Sequence, residues 1–129
     1  MTINKRVMVD MSCTLLHHGH IRLLKKAAEL GEVIVALTTD NEIIMKKGYT
    51  PELNFEERRE ILLAIRYVSE VMPSKWLLDD QYIIDNKIDI LVHGDDNSNV
   101  ISACDLVIFP RTEGISSSEL RERSNATDK

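Results

Sequence analysis

The chain has little cysteine, few aromatic residues and no excess of positive charge, and each shortage excludes some classes of protein. Its two cysteines are Cys13 and Cys104, too few for a disulfide framework, which favours a reducing compartment. The 129 residues carry 21 acidic and 16 basic side chains, a net charge of -5, so no general basic field attracts nucleic acid or an anionic membrane. One Trp, three Tyr and two Phe are also few for stacking on bases, and we expect no nucleic-acid partner.

Long hydrophobic runs are missing as well. No apolar stretch approaches the roughly 20 residues that a membrane-spanning helix needs, and the positive charges of Lys5 and Arg6 are not followed by the apolar h-region of a secretory leader. We therefore predict a cytoplasmic protein with no membrane partner. A composition of 43% hydrophobic and 29% charged residues indicates a globular fold, and the length predicts a single domain over residues 1–129 with a frayed tail at about 124–129.

Short β-rich runs alternate with helical runs along the whole chain. The predicted strands are 6–10, 33–37, 70–72, 88–92 and 105–109, and the predicted helices are 18–30, 40–45, one from Asn54, 80–86, 98–104 and 116–123. Gly31 is expected in a left-handed conformation after its helix, Pro73 is expected to end the third strand, and 46–53 is expected to be a loop. This alternation predicts an α/β fold, a single doubly wound (Rossmann-like) domain with a parallel five-stranded sheet. Ligands of such folds bind beyond the carboxyl ends of the strands, at the switch point of the sheet.

The first strand runs into a segment that can bind phosphate, Met11-Ser12-Cys13-Thr14-Leu15-Leu16-His17-His18-Gly19-His20. A helix start presents unpaired N–H groups to an anion, and Gly19 allows backbone to approach it closely. His17 and His20 are three residues apart and share a helix face, so their rings can donate to phosphate oxygens and stabilise charge developing at an α-phosphate. The alternative is a pair of surface histidines; no third ligand is spaced with them for a metal site.

A second group of this kind follows the last predicted strand, Arg111-Thr112-Glu113-Gly114-Ile115-Ser116-Ser117-Ser118. Hydroxyl groups and helix N–H groups can form a second anion site, and Arg111 can bind phosphate with two hydrogen bonds. The alternative is that the serines only cap a helix and the arginine is solvated.

Further candidates lie between these two groups. Lys46 in a mobile loop could close over a polyphosphate, and Arg58 and Arg66, eight residues apart on one predicted helix, could reach a second phosphate; a solvated basic face is the alternative. His93-Gly94-Asp95-Asp96 follows a buried strand. Carboxylates there could accept from a base amine or bind Mg²⁺, although Asp after Gly is also common in turns.

These motifs together resemble the cytidylyltransferase family that includes glycerol-3-phosphate, ethanolamine-phosphate and choline-phosphate cytidylyltransferases. The resemblance extends from Val7 to about Arg121, and it is carried by His17-His18-Gly19-His20 and by the segment from Arg111 to Ser118. It implies a homodimer of small doubly wound domains. It implies catalytic roles for His17, His20, Lys46 and Arg111. The nucleotide-binding residues that it implies are Met11, Ser12, Cys13, Gly19, His93, Gly94, Asp95, Thr112, Ile115, Ser116, Ser117 and Ser118, and the acceptor-binding residues are Thr14, Arg58 and Arg66.

The function implied by this resemblance is transfer of CMP from CTP to a small phosphorylated acceptor, glycerol 3-phosphate first, with release of pyrophosphate and with Mg²⁺ as cofactor. Thr14 stands where the family usually has an acid, and Ser69 stands where it often has Asp. A phosphonate, ethanolamine phosphate or choline phosphate remains open as acceptor. Two different functions also remain open: an adenylyltransferase that uses ATP, and a nucleotide-binding regulatory module without turnover.

Overall fold

Five parallel strands form one sheet in this computed structural model, which describes residues 5–94, 101–109 and 120. The strands are β1 (Arg6–Met11), β2 (Glu32–Thr38), β3 (Glu70–Ser74), β4 (Ile90–Gly94) and β5 (Asp105–Phe109). Their order is β3-β2-β1-β4-β5, and every neighbouring pair is parallel. The chain builds outward from β1 to β3 and then returns to the other side of β1. The predicted doubly wound sheet is therefore confirmed, and its switch point lies between β1 and β4.

Four helices lie between the strands in the described part of the chain: α1 (His18–Ala28), α2 (Asp40–Lys47), α3 (Phe55–Leu63) and α4 (Asp80–Asp85). The helix predicted from Asn54 is confirmed as α3, and a capping box forms its start. Asn54 Oδ1 accepts from the N–H of Glu57 at 2.9 Å, and Glu57 Oε1 accepts from the N–H of Asn54 at 3.0 Å. These two bonds satisfy donors that every helix start leaves open. Across the described residues, no helix has both the length and the apolar character needed to cross a membrane.

Successive strand side chains point to opposite faces of the sheet, and helices cover both faces. On one side Val7 and Val9 of β1 pack with Leu24 of α1 and Leu62 of α3. On the other side the buried cluster is formed by Met8, Ile34, Leu78, Ile83 and Leu91, with α4 as its helix. The uninterrupted apolar runs of the inner strands follow from this double burial.

Two predictions, one about a glycine conformation and one about a strand end, were wrong. The described glycine with positive φ is Gly48, at 78°, and not Gly31. Gly31 is required for a different reason, since a Cβ there would lie 2.3 Å from the carbonyl oxygen of Lys5. Pro73 does not end the third strand, because β3 continues to Ser74. The strand tolerates proline because β3 is an edge strand, which among the described residues pairs with β2 alone.

Two other predicted segments differ from the structure, and a third lies almost entirely outside the described residues. Lys46 lies within the last turn of α2 and not in a loop, and the helix ends where the N–H of Gly48 bonds the carbonyl of Ile44 at 2.9 Å. Of the predicted helix 98–104, residues 98–100 lie outside the described part of the chain and residues 101–104 are not helical. The Ser102 and Ala103 N–H groups donate to Asp80 Oδ1 at 2.8 and 3.0 Å. Of the predicted helix 116–123 the structure describes only residue 120, which is helical.

Candidate functional site

The first predicted phosphate-binding segment lies at the switch point of the sheet. β1 ends at Met11, and α1 begins at His18 beyond a short connection. β4, the neighbour of β1 on the other side of the switch, ends at Gly94. The start of α1 therefore opens beside the crevice where a doubly wound sheet binds its ligands.

His17 and His20 form a capping box at the start of α1. The Nδ1 atom of His17 accepts from the N–H of Gly19 at 3.1 Å, and the Nδ1 atom of His20 accepts from the N–H of His17 at 3.2 Å. The two ring centroids lie 4.0 Å apart. Because a ring nitrogen that accepts carries no proton, each neutral imidazole bears its proton on Nε2. The backbone thus fixes both rings in the tautomer whose Nε2–H can donate to an anion.

His20 is neutral at physiological pH. Burial is the larger cause that lowers its pKa from 6.5 to about 3, and the nearby charge of His17 lowers it further. His18, between them, is exposed and makes neither capping bond. The donor that His20 can offer is therefore a neutral imidazole N–H, which needs no protonation event to act.

The segment from Met11 to Thr14 is tightly held by its surroundings. Cys13 and Thr14 are buried, and Cys13 has a positive φ of 34°. Burial raises the pKa of the Cys13 thiol to about 12, against the opposing effect of the Arg58 charge, so the thiol is not a nucleophile at neutral pH. The Met11 carbonyl accepts from the Thr38 hydroxyl at 3.3 Å.

Arg58 is a buried hub, 1% exposed, that joins the segments around the crevice. Its guanidinium donates to the backbone carbonyls of Leu53 at 3.0 Å, Ser12 at 2.8 Å and Thr38 at 2.8 Å. It also pairs with Asp40 Oδ1 at 2.6 Å. Four of its five donor hydrogens are thereby used within the protein. In this arrangement the predicted acceptor-binding arginine holds together the ends of β1 and β2 and the starts of α2 and α3.

Arg66 does not share a helix face with Arg58, which corrects the prediction of one long helix. α3 ends at Leu63, and Arg66 follows in an exposed turn. Lys46 is exposed in the last turn of α2. Its neighbour Lys47 places Nζ 5.3 Å from the centroid of the Trp76 ring, which fastens the end of α2 to the loop after β3.

A residue that the sequence analysis missed, Asp10, pairs with His93 across the switch point. The carboxylate is 8% exposed, and its Oδ1 contacts Nδ1 of His93. An acid that ends an otherwise apolar inner strand is a signal that could have identified it, because a buried carboxylate requires a partner.

The other predicted site residues lie outside the described part of the chain: Asp95, Arg111, Thr112, Ile115, Ser116, Ser117 and Ser118. Within the described part, no group of three or more His, Cys, Asp or Glu side chains is placed to hold a metal ion. The described site is therefore a helix start with two imidazole donors, an acid–imidazole pair across the crevice and a buried arginine behind them.

Comparisons with known proteins identify related chains. A family model described as cytidylyltransferase-like matches residues 14–123. The chain is 40% identical over 123 residues to glycerol-3-phosphate cytidylyltransferase of Bacillus subtilis (strain 168), covering 92% of this chain and 95% of that protein. It is 36% identical over 132 residues to glycerol-3-phosphate cytidylyltransferase of Staphylococcus aureus (strain NCTC 8325 / PS 47), covering 96% and 98%.

A solved structure shares the fold. It is the lipopolysaccharide core biosynthesis protein from Thermoplasma volcanium GSS1, with a TM-score of 0.72 and 21% identity over 85% of this chain and 99% of that one. At that identity the likeness supports the α/β architecture and nothing finer.

Proposed function

The chain belongs to the cytidylyltransferase-like family, and on that premise we propose that it transfers CMP from CTP to glycerol 3-phosphate and releases pyrophosphate. The observation that carries the proposal is the pair of imidazoles at the start of α1, both held by backbone N–H groups in the donor tautomer. Nearly complete coverage of two glycerol-3-phosphate enzymes favours glycerol 3-phosphate as acceptor.

In the proposed reaction an oxygen of the acceptor phosphate attacks the α-phosphorus of CTP. The bond from that phosphorus to the bridging oxygen breaks, and pyrophosphate leaves with the electron pair. The acceptor oxygen is already anionic at neutral pH, so no base has to remove a proton. The difficulty is electrostatic, because two anions must meet in line. Nε2–H groups of His17 and His20 would donate to oxygens at the reacting phosphate as charge develops there.

Local groups must overcome the net charge of -5. We propose that Lys46 and Arg111 contact the phosphates of CTP, with Ser116, Ser117 and Ser118 from the helix that the sequence predicts over 116–123. Among the described residues, Arg66 is the candidate to bind the acceptor phosphate, because it is exposed just after the end of α3. Arg58 would act behind the site, because its donors are engaged by the protein.

The cofactor, assembly and location complete the proposal. Mg²⁺ would neutralise charge on the leaving pyrophosphate, and it commonly binds through substrate phosphates with one or two carboxylates. Asp95, predicted to recognise the cytosine amine, directly follows β4 in the sequence. We propose that the protein is cytoplasmic and that its single-domain subunits form a homodimer. Sedimentation analysis of the purified protein would test the homodimer.

Pyrophosphate release tests the reaction directly. With CTP and Mg²⁺ we expect release to depend on glycerol 3-phosphate and to exceed that with ethanolamine phosphate, choline phosphate or a phosphonate. His17→Ala and His20→Ala should each lower kcat by roughly 10²–10³, whereas His18→Ala, at the exposed position between them, should retain activity. Release with ATP and not CTP would favour the adenylyltransferase, and tight CTP binding without release from any acceptor would favour the regulatory module.

A further inference from the structure

Asp10 and His93 meet at the place where a doubly wound sheet binds its ligand. β1 and β4 are neighbours, with Val9 paired to Val92 in the last register that the two strands share. Asp10 and His93 are the next residues on each strand, and their side chains contact through Oδ1 and Nδ1. Met8 and Leu91, two positions earlier on the same strands, belong to the buried cluster beneath α4. The pair therefore lies on the α4 side of the sheet, opposite the side that α1 covers.

The partner of each imidazole decides which hydrogen-bonding group its Nε2 presents. A carboxylate can only accept, so Nδ1 of His93 must carry the proton in its bond to Asp10, and Nε2 of the neutral ring then holds a lone pair. The opposite holds for His17 and His20, whose Nδ1 atoms accept from backbone N–H groups. The two sides of the sheet at its switch point thus carry imidazoles of opposite hydrogen-bonding character, donors at the start of α1 and an acceptor at the end of β4.

A nucleoside triphosphate has the complementary polarity. Its phosphate oxygens only accept, whereas the nucleoside presents donors, namely ribose hydroxyl groups and, in cytidine, an exocyclic amine. Two donor imidazoles suit the phosphate end of such a ligand, and an acceptor imidazole suits the nucleoside end.

Building on the proposed function, we propose that Asp10 is a positioning residue for the nucleoside end of CTP. It holds the His93 ring in the Nδ1–H tautomer, so that Nε2 accepts a hydrogen bond from an O–H or N–H donor of the nucleoside. The ribose and the cytosine amine share this chemistry, and nucleotide analogues distinguish them.

Calorimetric titration without acceptor, at about pH 8, tests the binding step. Wild type is titrated with CTP, with UTP, which lacks the amine, and with 2′-deoxy-CTP and 3′-deoxy-CTP, which each lack one hydroxyl. We expect one of the three removals to weaken binding to wild type by roughly five- to tenfold, the value of one hydrogen bond. In Asp10→Asn and His93→Gln the same removal should change Kd less than twofold. The first variant no longer fixes the lone pair on Nε2 of His93, and the second removes the imidazole.

The matched control is Asp85→Asn, which makes the same charge change at an exposed residue on α4 that bonds only Gln81 in the described part of the chain. It should keep the wild-type pattern for all nucleotides. Equal analogue penalties in wild type, Asp10→Asn and His93→Gln would overturn the inference while leaving the proposed function intact. Absence of CTP binding to wild type would overturn both.

The tautomer itself provides a readout that does not depend on nucleotide. Long-range ¹H–¹⁵N spectra of the imidazole rings should show His93 protonated at Nδ1, and His17 and His20 protonated at Nε2. Asp10→Asn should move His93 toward a mixture, because an amide can donate as well as accept. Protonation of wild-type His93 at Nε2 would overturn the inference even if Asp10→Asn weakens nucleotide binding, since weak binding alone could follow from a local packing change.

Discussion

Replacement of His20 by Gln should make the protein less sensitive to acid. Burial and the charge of His17 lower the pKa of His20 from 6.5 to about 3 in the folded state. As pH falls below 6.5, the unfolded chain therefore binds a proton that the folded chain refuses, so stability is present above pH 6.5 and is lost progressively toward pH 3. Between about pH 7.5 and about pH 5 this linkage removes on the order of 2 kcal/mol from the free energy of unfolding.

Gln is the informative replacement because it removes the titration and keeps the cap. Its side-chain oxygen can accept from the His17 N–H as Nδ1 of His20 does, and Gln is a natural residue at this capping-box position. Urea unfolding at the two pH values should show that wild type loses about 2 kcal/mol more than His20→Gln. His18→Gln, at the exposed neighbour, should lose stability as wild type does. An equal loss in wild type and His20→Gln would refute the claim that His20 is held neutral by its surroundings.

Two further predictions concern stability, and urea unfolding at neutral pH measures both. Arg58→Met leaves three carbonyls and a carboxylate without their buried donor and should lower the free energy of unfolding by about 3–5 kcal/mol. Arg59→Met, the neighbouring control, breaks an exposed contact of 3.9 Å with Glu56 and should change the free energy of unfolding by less than about 0.5 kcal/mol. Similar losses of stability in the two variants would contradict the structural role of Arg58. Gly31→Ala should cost about 1–3 kcal/mol because its Cβ would meet Lys5 backbone at 2.3 Å. Gly48→Ala, in open space at φ 78°, should cost about 1 kcal/mol, and the reverse order would contradict the steric explanation.

The strands and helix starts could be predicted because their causes are local in sequence. Uninterrupted apolar runs identify inner strands, and Asn54 with Glu57 identifies a helix start by side-chain chemistry that acts over three residues. Pro73 shows the limit of such reasoning. Proline excludes a ladder hydrogen bond on one side of a strand only, and whether that side is paired depends on the strand order, which is set by the whole sheet.

The roles of the arginines could not be predicted for the same reason. Arg58 and Arg66 are indistinguishable as charges in the sequence, and only the fold determines that one is 1% exposed and the other exposed. Asp10 was missed because its partner lies 83 residues away on a neighbouring strand. Pairing of this kind requires the order of β1 and β4, which no local pattern encodes.

Arg58 also constrains how an acidic protein can bind a polyphosphate. Its charge is balanced by Asp40 at 2.6 Å and its donors point into the protein, so it adds little net field at the crevice. What it contributes is geometry, because the Ser12 carbonyl that it holds belongs to the connection leading to His17 and His20. Under the proposed function, phosphate at the start of α1 would then bind neutral imidazole N–H groups and helix amides, whose interactions salt screens less than those of exposed charges such as Lys46 and Arg66. The start of α1 is accordingly built on preorganised dipoles, and positive charge would be supplied by the exposed Lys46 and Arg66.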